Sequence, residues 1–196
     1  MGWEENTISL LEKLRQHNGW SYAHSLRVRD YAVEIGIFME LSRAEMEILS
    51  AAALLHDIGK LMVPVVILDK PGSLTQAEFQ QVKEHIWAGY RILSERGYPA
   101  VICEAVRDHH ERYDGKGYGE RTAISLPAKI LCLADAYDAM KHSRPYRKAM
   151  TEWEVYQEIA VNSGKQFDPE VCKAALCSLF TGAKKKNKKD GRQDEI

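Results

Sequence analysis

Leu54-Leu55-His56-Asp57-Ile58-Gly59-Lys60 follows directly on Ala51-Ala52-Ala53, and its reading decides how the chain is interpreted. The apolar part has the composition of a buried helix. It ends in an imidazole beside a carboxylate, then a Gly that interrupts the helix, then a Lys. An unpaired polar group at a buried helix end costs free energy. An imidazole next to a carboxylate on a rigid element is what a metal site requires. The rest of the chain is therefore read for further ligands.

Outward from this stretch the pattern is helical, with Gly, Pro and Asn as punctuation and little strand-like alternation. Residues 4–17 carry Ile8, Leu11 and Leu14 on one side, and Asn18-Gly19 ends that helix. Ser21 opens a second helix to about residue 40, with Leu26, Val28, Val33, Ile37 and Phe38 mostly inward. Ser42 caps a third that runs into His56-Asp57. Val63 to Leu68 reads either as a short strand or as a helix with Pro64 in its first turn. Asp69-Lys70-Pro71-Gly72 reads as a turn. Thr75-Gln76-Ala77-Glu78 is a capping-box pattern that opens a long helix to about Arg96. Gly97-Tyr98-Pro99 separates it from a helix over 99–110. After the Gly-rich stretch 114–119, helices are predicted over 126–141, 151–163 and 168–180. The expectation is an all-α domain over residues 1–180, followed by a basic, disordered tail over 181–196 that contains Lys184-Lys185-Lys186-Asn187-Lys188-Lys189.

Composition narrows the function. With 196 residues, 45% hydrophobic and 28% charged, the chain is long enough to bury a sizeable core. A net charge of -1 gives no general attraction to a nucleic acid polymer or a membrane surface. No apolar run reaches bilayer length, and residues 1–10 lack a signal-peptide core. The expected location is the cytoplasm. The four cysteines, Cys103, Cys132, Cys172 and Cys177, form no CxxC pair and read as reduced, mostly buried side chains.

The chemistry lies with the histidines. There are seven, of which His17 and His142 read as surface residues. His24 lies mid-helix on the side of Val28 and Ile35, His85 precedes Ile86-Trp87, and His109-His110 end a helix with Ile102, Ala105 and Val106 inward. Asp135 sits in the apolar run Leu131-Cys132-Leu133-Ala134-Asp135-Ala136, where a charge must be paired or bound to a cation. Any one of these is more often a satisfied core residue than a ligand; together they are not explained that way. A His-rich set with carboxylates and no sulfur suits iron, manganese, zinc or cobalt and disfavours a closed structural zinc site. Neighbours on a helix point about 100° apart, so the pairs His56-Asp57 and His109-His110 suit straddling two ions. Two adjacent ions suit hydrolysis of a phosphate ester by a hydroxide generated near neutral pH. Cations that could meet the phosphate follow: Lys60, three residues after Asp57, and Arg144-Pro145-Tyr146-Arg147-Lys148 after the Asp135 helix. Asp138 is one turn from Asp135 on the same face.

These motifs, in order, resemble the HD-GYP family, a branch of the HD superfamily of metal-dependent phosphohydrolases. The resemblance covers about His24 to Asp168 and rests on His24-Ser25, Leu55-His56-Asp57-Ile58-Gly59-Lys60, Lys70-Pro71-Gly72-Ser73-Leu74-Thr75, His85, His109-His110-Glu111-Arg112-Tyr113-Asp114-Gly115, Ala134-Asp135-Ala136-Tyr137-Asp138-Ala139, Arg144-Pro145-Tyr146-Arg147 and Gln166-Phe167-Asp168-Pro169. It implies an HD-domain helical bundle with additional C-terminal HD-GYP helices. It also implies hydrolysis of a cyclic dinucleotide, cyclic di-GMP first, at a centre of iron or manganese, with zinc, cobalt or nickel as alternatives. Carried over by position, His24, His56, Asp57, His85, His109, His110 and Asp135 become metal ligands, with Asp57 bridging. Lys60, Arg144 and Arg147 would hold substrate phosphates. Asp57, Lys60 and Asp138 would serve the catalytic step, Asp138 as a water-orienting or supporting group.

The chain departs from the family pattern in three places. The naming motif ends in Gly rather than Pro, at Gly117-Tyr118-Gly119, and the following loop, Glu120 to Ala123, is short. This bears on substrate fit and on a signalling partner protein that the Gly115–Gly119 loop could contact. Trp20 stands where three-metal members carry Glu, so two ions are expected. The usual attached sensor domain is missing, which points to a stand-alone form or an excised piece. Two alternatives remain: another HD-type nucleotide phosphohydrolase, and a non-catalytic module that binds nucleotide or a partner protein.

Overall fold

A computed structural model describes residues 3–118, 123–143 and 148–180. Its elements are α1 (Trp3–His17), α2 (Gly19–Phe38), α3 (Arg43–Leu55), a 3-10 helix (Ile58–Met62), α4 (Val65–Leu68), α5 (Gln76–Lys83), α6 (His85–Ser94), α7 (Ala100–Asp108), α8 (Leu126–Lys141), α9 (Glu152–Val161) and α10 (Pro169–Ser178). Among the described residues there is no strand, and the all-α expectation holds. Gly119, Arg144, Arg147 and the tail over 181–196 lie outside the described residues.

Helix α2 packs on α1, α3, α8 and α10, while α7 joins α3 to α6. The shared core takes Leu10 and Leu14 from α1, Val28, Ala32 and Ile35 from α2, and Leu49 and Ala52 from α3. Ile102 and Val106 from α7, and Ile130, Leu131 and Ala134 from α8, complete it. The three alanines that open the HD stretch are all buried; their small side chains let α3 lie close to its neighbours. Helix α8 is buried nearly all round, as expected for an apolar helix without a polar stripe.

Several local expectations are corrected. The cap of α2 is Asn18, whose side chain accepts from Ser21 N at 2.8 Å, so Ser21 lies inside the first turn. Ile37 and Phe38 are 66% and 49% exposed, because α2 outruns the core at its C-terminal end. Residues 65–68 form one helical turn with Pro64 as its N-cap, not a strand. The capping box at Thr75 and Glu78 is present. The long helix expected beyond it is broken at Glu84 into α5 and α6, where the His85 ring takes up the carbonyl of Val82. Gly97, at φ 72, ends α6, and the Tyr98 N–H returns to Leu93 O at 3.2 Å.

One close approach sets the geometry of the HD stretch. After Leu55 the chain tightens into the 3-10 helix, and Gly59 presses against the first turns of α6. A Cβ on Gly59 would overlap the carbonyl oxygen of His85 and come 2.5 Å from Gly89 N. Only a residue without a side chain lets Asp57 and His85 come together here. Gly59→Ala is expected to destabilise the fold by about 2–3 kcal/mol through overpacking, read from denaturant midpoints. Gly19→Ala, where nothing lies within 4 Å of the added Cβ, should be neutral or slightly stabilising.

Candidate metal centre

Three of the histidines are held in the same way. His56 and His109 are the C-cap residues of α3 and α7, and His85 follows the end of α5. Carbonyls in the last turn of a helix lack intrahelical partners. Each ring folds back on the carbonyl three residues before it: His56 Nδ1 to Ala53 O at 2.8 Å, His85 Nδ1 to Val82 O at 2.6 Å, and His109 Nδ1 to Val106 O at 2.6 Å. A carbonyl only accepts, so Nδ1 carries the proton and Nε2 presents its lone pair inward.

His24, mid-helix in α2, is held by a carboxylate instead. Asp138 is fully buried and accepts from His24 Nδ1 at 2.6 Å, from Arg27 Nε at 2.7 Å and from Arg27 Nη2 at 3.0 Å. His142 Nδ1 lies 3.0 Å from its other side. Asp138 thus stands behind His24 as its support. Spacing alone suggested that it shared a face with Asp135; the structure adds Arg27 and His142 as its partners. His142 is therefore more than a surface residue. So is His17, whose Nε2 lies 2.9 Å from Val63 O.

The inward nitrogens and carboxylates gather into overlapping groups: His85, His109 and His110; His24, His56 and Asp135; and His56, Asp57 and His109, with the ligand atoms of each within 4.8 Å of one another. His109 and His110 fall in one trio, with ring centroids 4.0 Å apart, where neighbour geometry had suggested straddling. Asp57 lies between the groups. Its Oδ2 is 3.4 Å from His56 Nε2 and 3.8 Å from His24 Nε2, and its Oδ1 is 3.5 Å from His85 Nε2. Asp135 Oδ1 is 3.0 Å from His24 Nε2 and its Oδ2 3.9 Å from His110 Nδ1. Lys60 Nζ donates to Asp57 Oδ2 at 2.6 Å from the rim.

The charges match this arrangement. Burial pushes His85 down to about 3 and carries His109 well below the usual imidazole range; His110 is lowered too. Burial opposes ionisation of Asp57 and Asp135. Lys60 and His56 outweigh it for Asp57, and His24 and His110 for Asp135, holding both well below the usual carboxylate range. Burial also works against charge on His24, yet its bonds to Asp135 and Asp138 raise it to about 9. Neutral His85, His109 and His110 thus face ionised Asp57 and Asp135 in a buried space, while His24 is held charged between Asp135 and Asp138. His56 Nε2 is buried without a hydrogen-bond partner, and the Nε2 atoms of His85 and His109 face each other at 3.5 Å. Lone pairs converging with nothing to share fit divalent cations better than they fit a plain core.

Two rings border the centre. Trp20 stacks on His24, centroids 5.2 Å apart and 14° from parallel. Tyr118, from the Gly-rich loop, lies over His110 with centroids 4.8 Å apart. Neither ring was among the expected site residues; the signal for Trp20 was its place one turn before His24. Beside Lys60 and Trp20 opens a cleft of about 540 Å³, lined also by Asp69, Lys70 and Phe79. The expected phosphate-holding residues Arg144 and Arg147 lie outside the described residues. Among the described residues no helix is long and apolar enough to cross a membrane.

An HD-domain family model matches residues 9–171. The chain is 38% identical over 175 residues to a cyclic di-GMP phosphodiesterase of Thermotoga maritima, covering 86% of this chain and 48% of that protein. It is 39% identical over 160 residues to 3'3'-cGAMP-specific phosphodiesterase 3 of Vibrio cholerae, covering 80% and 35%. The chain thus spans about half the length, or less, of the curated relatives it matches. Its fold superposes with a TM-score of 0.66 on the HD domain of the Listeria monocytogenes phosphodiesterase PgpH, solved with cyclic di-AMP, at 16% identity and covering 96% of this chain and 99% of that one. Sequence, fold and the ordered His and Asp positions agree: the chain belongs to the HD-domain family, in its HD-GYP branch.

Proposed function

We propose that the chain is a metal-dependent phosphodiesterase that hydrolyses a cyclic dinucleotide, cyclic di-GMP first. The observation that carries this reading is the placement of Asp57, with one oxygen toward His24 and His56 and the other toward His85. A carboxylate so placed can join two cations. His24, His56 and Asp135 would complete the ligands on one side, and His85, His109 and His110 on the other. Iron or manganese suits this nitrogen and oxygen set. Two such ions supply Lewis acidity to the phosphoryl group and lower the pKa of the attacking water.

The chain's own residues would do the rest. Imidazoles locked to backbone carbonyls cannot rotate away, so the ligand positions are set before a cation arrives. Lys60 lies at the rim, 16% exposed in its side chain, and can turn from Asp57 toward a phosphate oxygen. Arg144 and Arg147 would hold the remaining phosphate charge bidentately. Asp138 would act through His24 by keeping the proton on Nδ1 and the lone pair of Nε2 inward. The similarity to the two curated phosphodiesterases supports the substrate class.

Purified protein supplied with manganese should bind close to two ions per chain by elemental analysis, and a folded protein that binds none would overturn the centre. Asp138→Asn should lower manganese affinity about 10- to 100-fold while the fold persists by circular dichroism. His56→Ala and Asp57→Ala should abolish hydrolysis of cyclic di-GMP; turnover of a mononucleotide in place of any cyclic dinucleotide would favour another HD-type phosphohydrolase. Arg144→Ala should raise KM more than it lowers kcat, and an unchanged KM would remove Arg144 from phosphate binding.

A further inference from the structure

The cleft beside the metal centre has a chemistry of its own. It shares two residues with the centre: Lys60, bonded to Asp57, and Trp20, stacked on His24. A phosphate held at the centre next to Lys60 therefore leaves its nucleoside at the mouth of this cleft. Trp20 remains 40% exposed, a broad flat surface against which a base can stack. Among the described residues the carboxylate lining the cleft is Asp69, at the end of α4, with Asn18, Ser21, Lys60, Lys70 and Ser73 as the other polar side chains. It is held in place: Asn18, itself buried at the cap of α2, donates from Nδ2 to Asp69 Oδ1 at 2.7 Å. Asn18 is in turn fixed by accepting from Ser21 N. Lys70, also on the lining, is paired with Glu78 at 2.7 Å, so it leaves the charge of Asp69 in place.

A fixed carboxylate discriminates between purines. It only accepts hydrogen bonds, and each oxygen has two lone pairs. The Watson–Crick edge of guanine presents two adjacent donors, N1–H and the N2 amino group, which match the two oxygens. Adenine presents the lone pair of N1 at that place, and a carboxylate repels it. We propose that this cleft is a guanine-reading subsite, in which Trp20 stacks on the base and the Asn18-held Asp69 takes the paired donors of its edge, while Lys60 meets the attached phosphate. The inference rests on the phosphodiesterase reading for the chemistry at the phosphate, but base recognition can be measured without turnover.

The test is calorimetric titration of manganese-loaded protein with GMP and with AMP, whose identical phosphates leave the base as the difference. Wild type should bind GMP at least about tenfold more tightly, the scale of hydrogen bonds to a charged group. Asp69→Asn can still accept from Asn18 but loses the charge and one acceptor oxygen; it should weaken GMP about tenfold and leave AMP bound at least as tightly, because the repulsion of adenine N1 is relieved. Trp20→Phe should retain most of the affinity for both nucleotides, and Trp20→Ala should weaken both. Equal binding of GMP and AMP by wild type overturns the proposal. So does an Asp69→Asn variant that loses both nucleotides alike with a lowered melting temperature, which would make the Asn18–Asp69 bond a structural tether only. If GMP is preferred yet no cyclic dinucleotide is hydrolysed, the phosphodiesterase reading fails and the guanine subsite stands. If cyclic di-GMP is hydrolysed without a GMP preference, the reverse holds.

Discussion

A carboxylate buried at the meeting point of three helix ends sets the terms for the rest of this structure. Asp57 is almost wholly enclosed, where an ionised group is expensive unless compensated. Lys60 offsets part of that cost from one side, and four imidazoles stand around the remainder. For this to happen α3 must stop after Leu55, the chain must tighten into the 3-10 helix, and Gly59 must lie against the start of α6. The break between α5 and α6 belongs to the same constraint. A continuous helix would keep the Val82 carbonyl within its own hydrogen-bond ladder, and His85 would lose the acceptor that orients its ring.

The candidate ligands are oriented by two different devices, and the difference follows from where each lies on its helix. At a helix end, spare carbonyls are available, and His56, His85 and His109 use them. In mid-helix every carbonyl is already engaged, so His24 needs a partner from another element. It finds Asp138 on α8, and a second buried carboxylate then requires its own compensation from Arg27 and His142. The pair α2 and α8 is thereby locked by charge as well as by packing.

The borders of the site continue the same economy of residues. Trp20 covers His24 and lines the cleft, and Lys60 serves both Asp57 and the cleft mouth. Asn18 caps α2 and also anchors the segment after α4 through Asp69. One bond at a helix start thus ties the helix that carries His24 to the wall of the neighbouring cleft.

The main helices, the caps at Ser42 and Thr75, and the candidate ligand types were legible in the sequence, because apolar periodicity and capping residues act over a few positions. His56-Asp57 stood out there because an apolar helix cannot end in two polar groups without partners. Which atoms those partners are was decided only by the tertiary structure. Nothing local distinguishes Asp138, a support for His24, from Asp135, one turn away and facing the imidazoles. The difference is made by Arg27, more than a hundred positions off in sequence. The break at Glu84, the close contact at Gly59 and the bond from Asn18 to Asp69 likewise depend on segments that meet only in the folded chain. Short-range patterns specify helices and the chemistry they carry; the direction in which each imidazole and carboxylate points is set by what lies across the interface from it.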